Sequence, residues 1–177
     1  MRTEHDPRSI VGFAREVLDS HGLSDWSVQW DRAKRRAGSC SHSRTTVTLS
    51  KPLAMLYPEE VMRAVVLHEV AHALAGPHHQ HDEYWKKIAR ALGAPPQASL
   101  PSALPQPPPL WRGKCPRCAQ EKGLHSMPRR VVSCGRCSSS FRADLILEWT
   151  CRGEPTHPSG RYAQELRRIR RLSRSKR

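Results

Sequence analysis

Apolar residues recur at helical spacing near the start of the chain: Ile10, Phe13, Ala14, Val17 and Leu18 share one face, and His21-Gly22 ends the run. This predicts an amphipathic helix from Pro7 to Asp19. Between Trp26 and Leu49 the period shortens to alternation, in Ser27-Val28-Gln29-Trp30 and Thr45-Thr46-Val47-Thr48-Leu49. A basic, turn-like stretch containing Gly38 separates the two runs, which together predict a small antiparallel sheet. A second helix is expected over residues 58–75. Pro58-Glu59-Glu60 suits a first turn, with acids at the positive dipole end, and Gly76-Pro77 closes the segment. A third helix begins near Asp82-Glu83, carries Trp85, Ile88, Ala89 and Leu92 on one face, and stops at Gly93.

Beyond Gly93 the periodicity disappears. Residues 94–109 hold seven prolines and no charge, the composition of an extended polyproline-type connection. The pattern therefore divides the chain into a first domain over residues 1–93, a linker over 94–110, a cysteine-containing module over 111–152, and a basic tail or helix over 153–177. In that last segment Tyr162, Leu166, Ile169 and Leu172 form an apolar stripe between Arg161 and Leu172.

Composition adds direction. The 177 residues carry a net charge of +14, with 37% hydrophobic and 26% charged residues, enough for a modest core. Residues 1–100 hold 13 Lys/Arg against 11 Asp/Glu, and residues 101–177 hold 17 against 5. An excess of +12 confined to one half points to a polyanionic partner such as DNA, because cations that neutralise phosphates release condensed counterions. No apolar run is long enough to span a membrane, and the first 20 residues lack the apolar stretch of a signal peptide, so a cytoplasmic location without membrane contact is expected.

The chemistry concentrates in His68-Glu69-Val70-Ala71-His72. On a helix, His68 and His72 at i and i+4 share a face and can bind one metal ion, with Glu69 beside them as general base. Zinc held by neutral nitrogens lowers the pKa of water to about 7, and a nearby carboxylate then accepts the proton as a carbonyl is attacked. The same five letters arise by chance on buried helices, but here three further histidines follow closely. His78 stands where a metzincin places its last ligand, although the glycine is displaced from position 75 to 76. His79 is a second candidate, and His81, just before the third helix, can face back toward the second.

Cys115-Pro116-Arg117-Cys118 and Cys134-Gly135-Arg136-Cys137 are separated by 15 residues, the spacing of a four-thiolate structural zinc site. Cys40 and Cys151 read as ordinary thiols. Arg129 and Arg130, then Arg167, Arg168, Arg170 and Arg171, are the candidate nucleic-acid contacts, with Arg174, Lys176 and Arg177 extending the basic end. Trp111, Phe141 and Trp149 serve either as stacking platforms for unpaired bases or as the ribbon's own small core.

In combination, an N-terminal helix, a small sheet, an HExxH helix, a histidine followed four residues later by an aromatic, and a C-terminal zinc ribbon resemble the SprT-like (Spartan-type) metalloproteases over residues 6–151. The resemblance implies a small zincin-like α+β domain followed by a zinc ribbon. It also implies one catalytic and one structural zinc, a protein substrate, and cleavage of DNA-associated or DNA-crosslinked proteins. It assigns the third ligand to the residue opening His81-Asp82-Glu83-Tyr84-Trp85, where Asp82 replaces the family's glycine. The strand around Thr45–Leu49 is expected to bind substrate by edge pairing. The rival reading is a non-enzymatic zinc protein that binds nucleic acid, its HExxH holding a purely structural ion.

Overall fold

A computed structural model describes residues 6–174. The chain divides into two compact units, Met1–Pro107 and Pro108–Arg177. Both are mixed α and β, and among the described residues no helix is long and apolar enough to cross a membrane.

In the first unit, helix α1 (Pro7–Ser20) starts where Asp6 accepts a hydrogen bond from the Arg8 N–H, with proline in its first turn. It buries Ile10, Ala14 and Leu18 completely. Strands β1 (Ser27–Asp31), β2 (Gly38–Ser41) and β3 (Thr46–Ser50) form a sheet in the order β1-β3-β2. The expected antiparallel pairing of the two alternating runs is corrected: β1 runs parallel to β3, with Ser27 opposite Thr46, and only β2 is antiparallel to it, with Gly38 opposite Leu49. A strand inside the supposed turn takes the place on β3 that a hairpin partner would have held. Thr45–Leu49 is therefore not an edge. Strand β3 is central, and Thr46, Val47, Leu49 and Ser50 are all buried.

The short helix α2 (Lys51–Ala54), capped by the Ser50 hydroxyl accepting from the Leu53 N–H, turns the chain toward α3 (Glu59–Ala75). Helix α3 is apolar around most of its circumference because it packs against α1, β2 and α4 (Glu83–Ala91). Ala71 and Ala75 form a shallow face on α3 into which Trp85 and Ala89 of α4 pack, with Ala94 closing the cluster.

Residues 95–107, expected as an extended linker, belong to the first unit. Leu104 packs on the main core, and the Gln106 side chain donates to the Tyr57 hydroxyl at 3.4 Å. Proline lacks the backbone N–H that apolar contact would leave without a partner, so an uncharged, proline-rich segment can lie against protein at low cost.

The second unit is a four-stranded antiparallel sheet in the order β5-β4-β6-β7, formed by β4 (Trp111–Lys114), β5 (Glu121–Leu124), β6 (Glu148–Cys151) and β7 (Glu154–Pro155). Helix α5 (Gly160–Arg174) docks on it through Tyr162, Leu166 and Ile169, and Glu165 accepts from the Val131 N–H at 2.9 Å. Leu172, placed on that stripe by its spacing, is instead exposed. Trp111 and Trp149 are buried in the core of this unit, whereas Phe141 is half-exposed.

Candidate metal centres

Helix α3 carries His68 and His72 on one face, and the loop entering α4 brings His81 to meet them. The Nε2 atom of His81 lies 3.1 Å from that of His72 and 3.1 Å from that of His68. Three nitrogens about 2.0–2.1 Å from one tetrahedral zinc stand roughly 3.4 Å apart, so this donor set fits the ion. Trp85 forms a shared floor, stacked on His72 at 5.1 Å and edge-on to His68 and His81 at 4.7 and 4.6 Å. Burial, reinforced by the neighbouring imidazoles, lowers the pKa of both His68 and His72 to about 4, which keeps their lone pairs free for a metal at neutral pH.

His81 adopts a left-handed backbone with φ of 51°, and this turn aims its ring back at α3. Asp82 follows with φ of −74°, so nothing in the backbone requires glycine there. Its carboxylate instead caps α4, accepting from the Trp85 N–H, and pairs with His79 Nδ1 at 2.7 Å. His79 also packs on the Tyr84 ring at 4.5 Å. Neither His78 nor His79 joins the cluster formed by His68, His72 and His81, whose ligand atoms all lie within 4.8 Å of one another.

Glu69 is 7% exposed, and burial raises its pKa to about 8 against the opposing pull of the Arg36 guanidinium. A cation held by the three histidines adds to the pull of Arg36 and favours the carboxylate. Together with the three histidines, Glu69 lines a cleft of about 700 Å³, walled by the Gly38–Cys40 strand, Tyr57 and residues 97–102. His42, which the sequence pattern did not single out, lines the same cleft and contacts the His72 carbonyl through Nε2 at 3.0 Å. The contact spans 30 positions, so no local signal announces it.

The second centre lies in the second unit. Cys115 and Cys137 Sγ are 3.9 Å apart, Cys118 and Cys134 Sγ are 3.6 Å apart, and all four fall within 4.8 Å. Thiolates about 2.3 Å from a tetrahedral zinc stand roughly 3.8 Å apart, so this set also fits. Cys118 is lowered to about 7, chiefly by the Gln120 backbone N–H and then by Cys137, while Cys137 is raised to about 12 by its thiol neighbours, Cys118 first. Cys118 thus gives up its proton more readily than Cys137.

Arg129, Arg130, Arg167, Arg168, Arg170 and Arg171 are all exposed. Arg130 is partly balanced by Glu165 at 3.4 Å. Lys176 and Arg177 lie outside the described residues.

The SprT-like family model matches residues 10–104 of the chain. Among solved structures, the metallopeptidase zymogen jannalysin of Methanocaldococcus jannaschii is 21% identical, covering 50% of this chain and 82% of its own, with a TM-score of 0.42. A superposition that loose decides nothing about this chain. No curated protein matches it.

Proposed function

This chain belongs to the SprT-like family, and from that premise we propose that it is a zinc-dependent metallopeptidase acting on proteins associated with or crosslinked to DNA. The observation that carries the reading is the convergence of His68, His72 and His81 beside Glu69 at one cleft. Three protein ligands leave a coordination position free, the arrangement of catalytic rather than structural zinc. Bound there, zinc supplies Lewis acidity, which acidifies water and polarises a peptide carbonyl.

The rest falls to the chain's own residues. The Glu69 carboxylate takes the proton of the attacking water and delivers it to the leaving amine. The Trp85 floor fixes the imidazole planes. Strand β2, at the margin of its sheet and along the cleft, offers backbone groups to an extended substrate, a role expected earlier of the strand at Thr45–Leu49. The four cysteines hold a structural zinc. The surplus of positive charge beyond residue 100, including the exposed arginines of α5, supports contact with DNA phosphates.

Metal-dependent proteolysis measured with and without DNA, on wild type and Glu69→Gln, tests the proposal. Glu69→Gln is expected to lower activity by roughly a hundred- to ten-thousand-fold at unchanged zinc content. DNA is expected to speed cleavage of a DNA-bound protein by raising effective concentration. Full activity in zinc-loaded Glu69→Gln sinks the mechanism. Equal rates with and without DNA, at a salt concentration where the protein binds DNA, sink the substrate assignment.

A further inference from the structure

Gly38 approaches α3 more closely than any residue with a side chain could. A Cβ built on it would stand 2.7 Å from Glu69 Cγ, 2.7 Å from Glu69 Oε1 and 2.9 Å from Val65 Cγ1, all inside the distance that real Cβ atoms keep. We propose that Gly38 is a positioning residue for Glu69: the missing side chain on β2 creates the slot that the Glu69 side chain occupies. The inference rests on Glu69 being the proton acceptor and goes beyond that assignment by naming what holds it in place.

When the slot is filled, one of the partners must yield. Strand β2 cannot retreat cheaply. Gly38 and Ser39 are in register with Leu49 and Thr48, the Ser39 and Thr48 hydroxyls are 2.6 Å apart, and the Ser50 N–H donates to the Ala37 carbonyl at 2.7 Å. Val65 is 4% exposed and β-branched, so on a helix it has essentially one χ1 rotamer. Glu69 has three side-chain torsions and gives way most easily. Its Cγ is as close as its oxygen, so spinning the carboxylate about its last bond relieves only one of the two contacts. The Cβ–Cγ part of the side chain must swing, and the carboxylate moves with it. The substitution is therefore absorbed at the group on which the chemistry depends, while the three histidines keep their places.

Gly38→Ala, Val65→Ala and the double variant Gly38→Ala/Val65→Ala, compared with wild type and Glu69→Gln, separate positioning from packing. The measurements are zinc per chain, Tm, and kcat and KM on a fluorescence-quenched peptide. For Gly38→Ala we expect wild-type zinc content, KM within about two-fold and kcat reduced by roughly ten- to a hundred-fold, the cost of misplacing a reacting group by about 1 Å. In the double variant the space freed at Val65 restores Tm but leaves kcat low. A crystal structure of Gly38→Ala should show the Glu69 carboxylate displaced. Wild-type kcat in Gly38→Ala, an unmoved Glu69, or a double variant whose kcat equals that of Val65→Ala would each overturn the proposal. If Gly38→Ala alone does not fold, the double variant decides. Glu69→Gln as active as wild type would instead overturn the proton-acceptor assignment itself.

Discussion

The two candidate centres relate to their surroundings in opposite ways. In the second unit Cys115 and Cys134 are members of the hydrophobic core, packed with Trp111, Val131, Leu145 and Trp149, so the metal site and the core are one object. In the first unit His68, His72 and His81 are only partly buried and line a cleft beside the main core of Ile10, Leu18, Leu49, Met62 and Val66. A fold that is complete without its ion can leave a coordination position free for substrate. Four thiolates would instead close the shell.

The largest expected effect breaks this contrast from the ribbon side. Cys134→Ser should unfold the second unit, since structural zinc contributes on the order of 10 kcal/mol to folding, while the first unit retains its helical circular dichroism and thermal transition. Loss of both transitions together would refute the independence of the two cores. On the other side, His81→Ala should release the zinc of the three-histidine cluster, measured as one zinc per chain instead of two, with Tm lowered by only a few degrees. His78→Ala and His79→Ala should keep both ions. If His78→Ala is the damaging change, the metzincin register is correct and the ligand set drawn from the fold is wrong.

Part of this arrangement is legible in the sequence. Helices α1, α4 and α5 are readable because each repeats apolar residues at helical spacing, and α3 because proline and two acids open it and Gly76-Pro77 closes it. Six of the seven candidate ligand positions are readable because i, i+4 histidines and CxxC pairs are local geometry, whereas His81 is set apart from His78 and His79 only by the family resemblance. Strand β2 was not readable. Gly38-Ser39-Cys40-Ser41 has no alternation, and it is a strand because β3 supplies its hydrogen bonds and α3 its packing. Residues 95–107 mislead for a related reason: a composition that usually signals solvated linker also suits a segment anchored on protein through Leu104 and Gln106, with fewer N–H groups to satisfy.

A smaller effect concerns charge. A fragment ending at Pro107 keeps the first core and the cleft wall at residues 97–102, whereas a cut at residue 100 removes Leu104 and Gln106 from their contacts. The longer fragment should fold, yet bind single-stranded DNA far more weakly than the full chain, whose affinity should fall with salt at a log-log slope of about −0.7 per neutralised phosphate. Equal DNA affinity of fragment and full chain would place the binding surface in the first unit.

The smallest effect is at Cys40, whose thiol is pushed up to about 12 by burial and by the nearby Glu69 charge. Because the folded pKa lies above the unfolded one, holding the thiol neutral costs the folded state stability only where the unfolded thiol would ionise. Stability should be unaffected below about pH 9 and decline as pH rises from there toward 12, relative to Cys40→Ala. At pH 8 iodoacetamide should spare Cys40. Alkylation of Cys40 in the folded protein at the rate of a free cysteine would contradict that shift.

The shared floor of the three-histidine cluster has an optical consequence. Trp85 is fully buried, touches three imidazole rings, and has an indole N–H with no acceptor among the described residues. An indole in that position emits in a dry environment whose quenchers are the imidazoles themselves, and a protonated ring, a free ring and a metal-bound ring quench differently. With the other four tryptophans replaced by phenylalanine, the emission of Trp85 becomes a built-in readout of the cluster's occupancy, available without substrate or added dye.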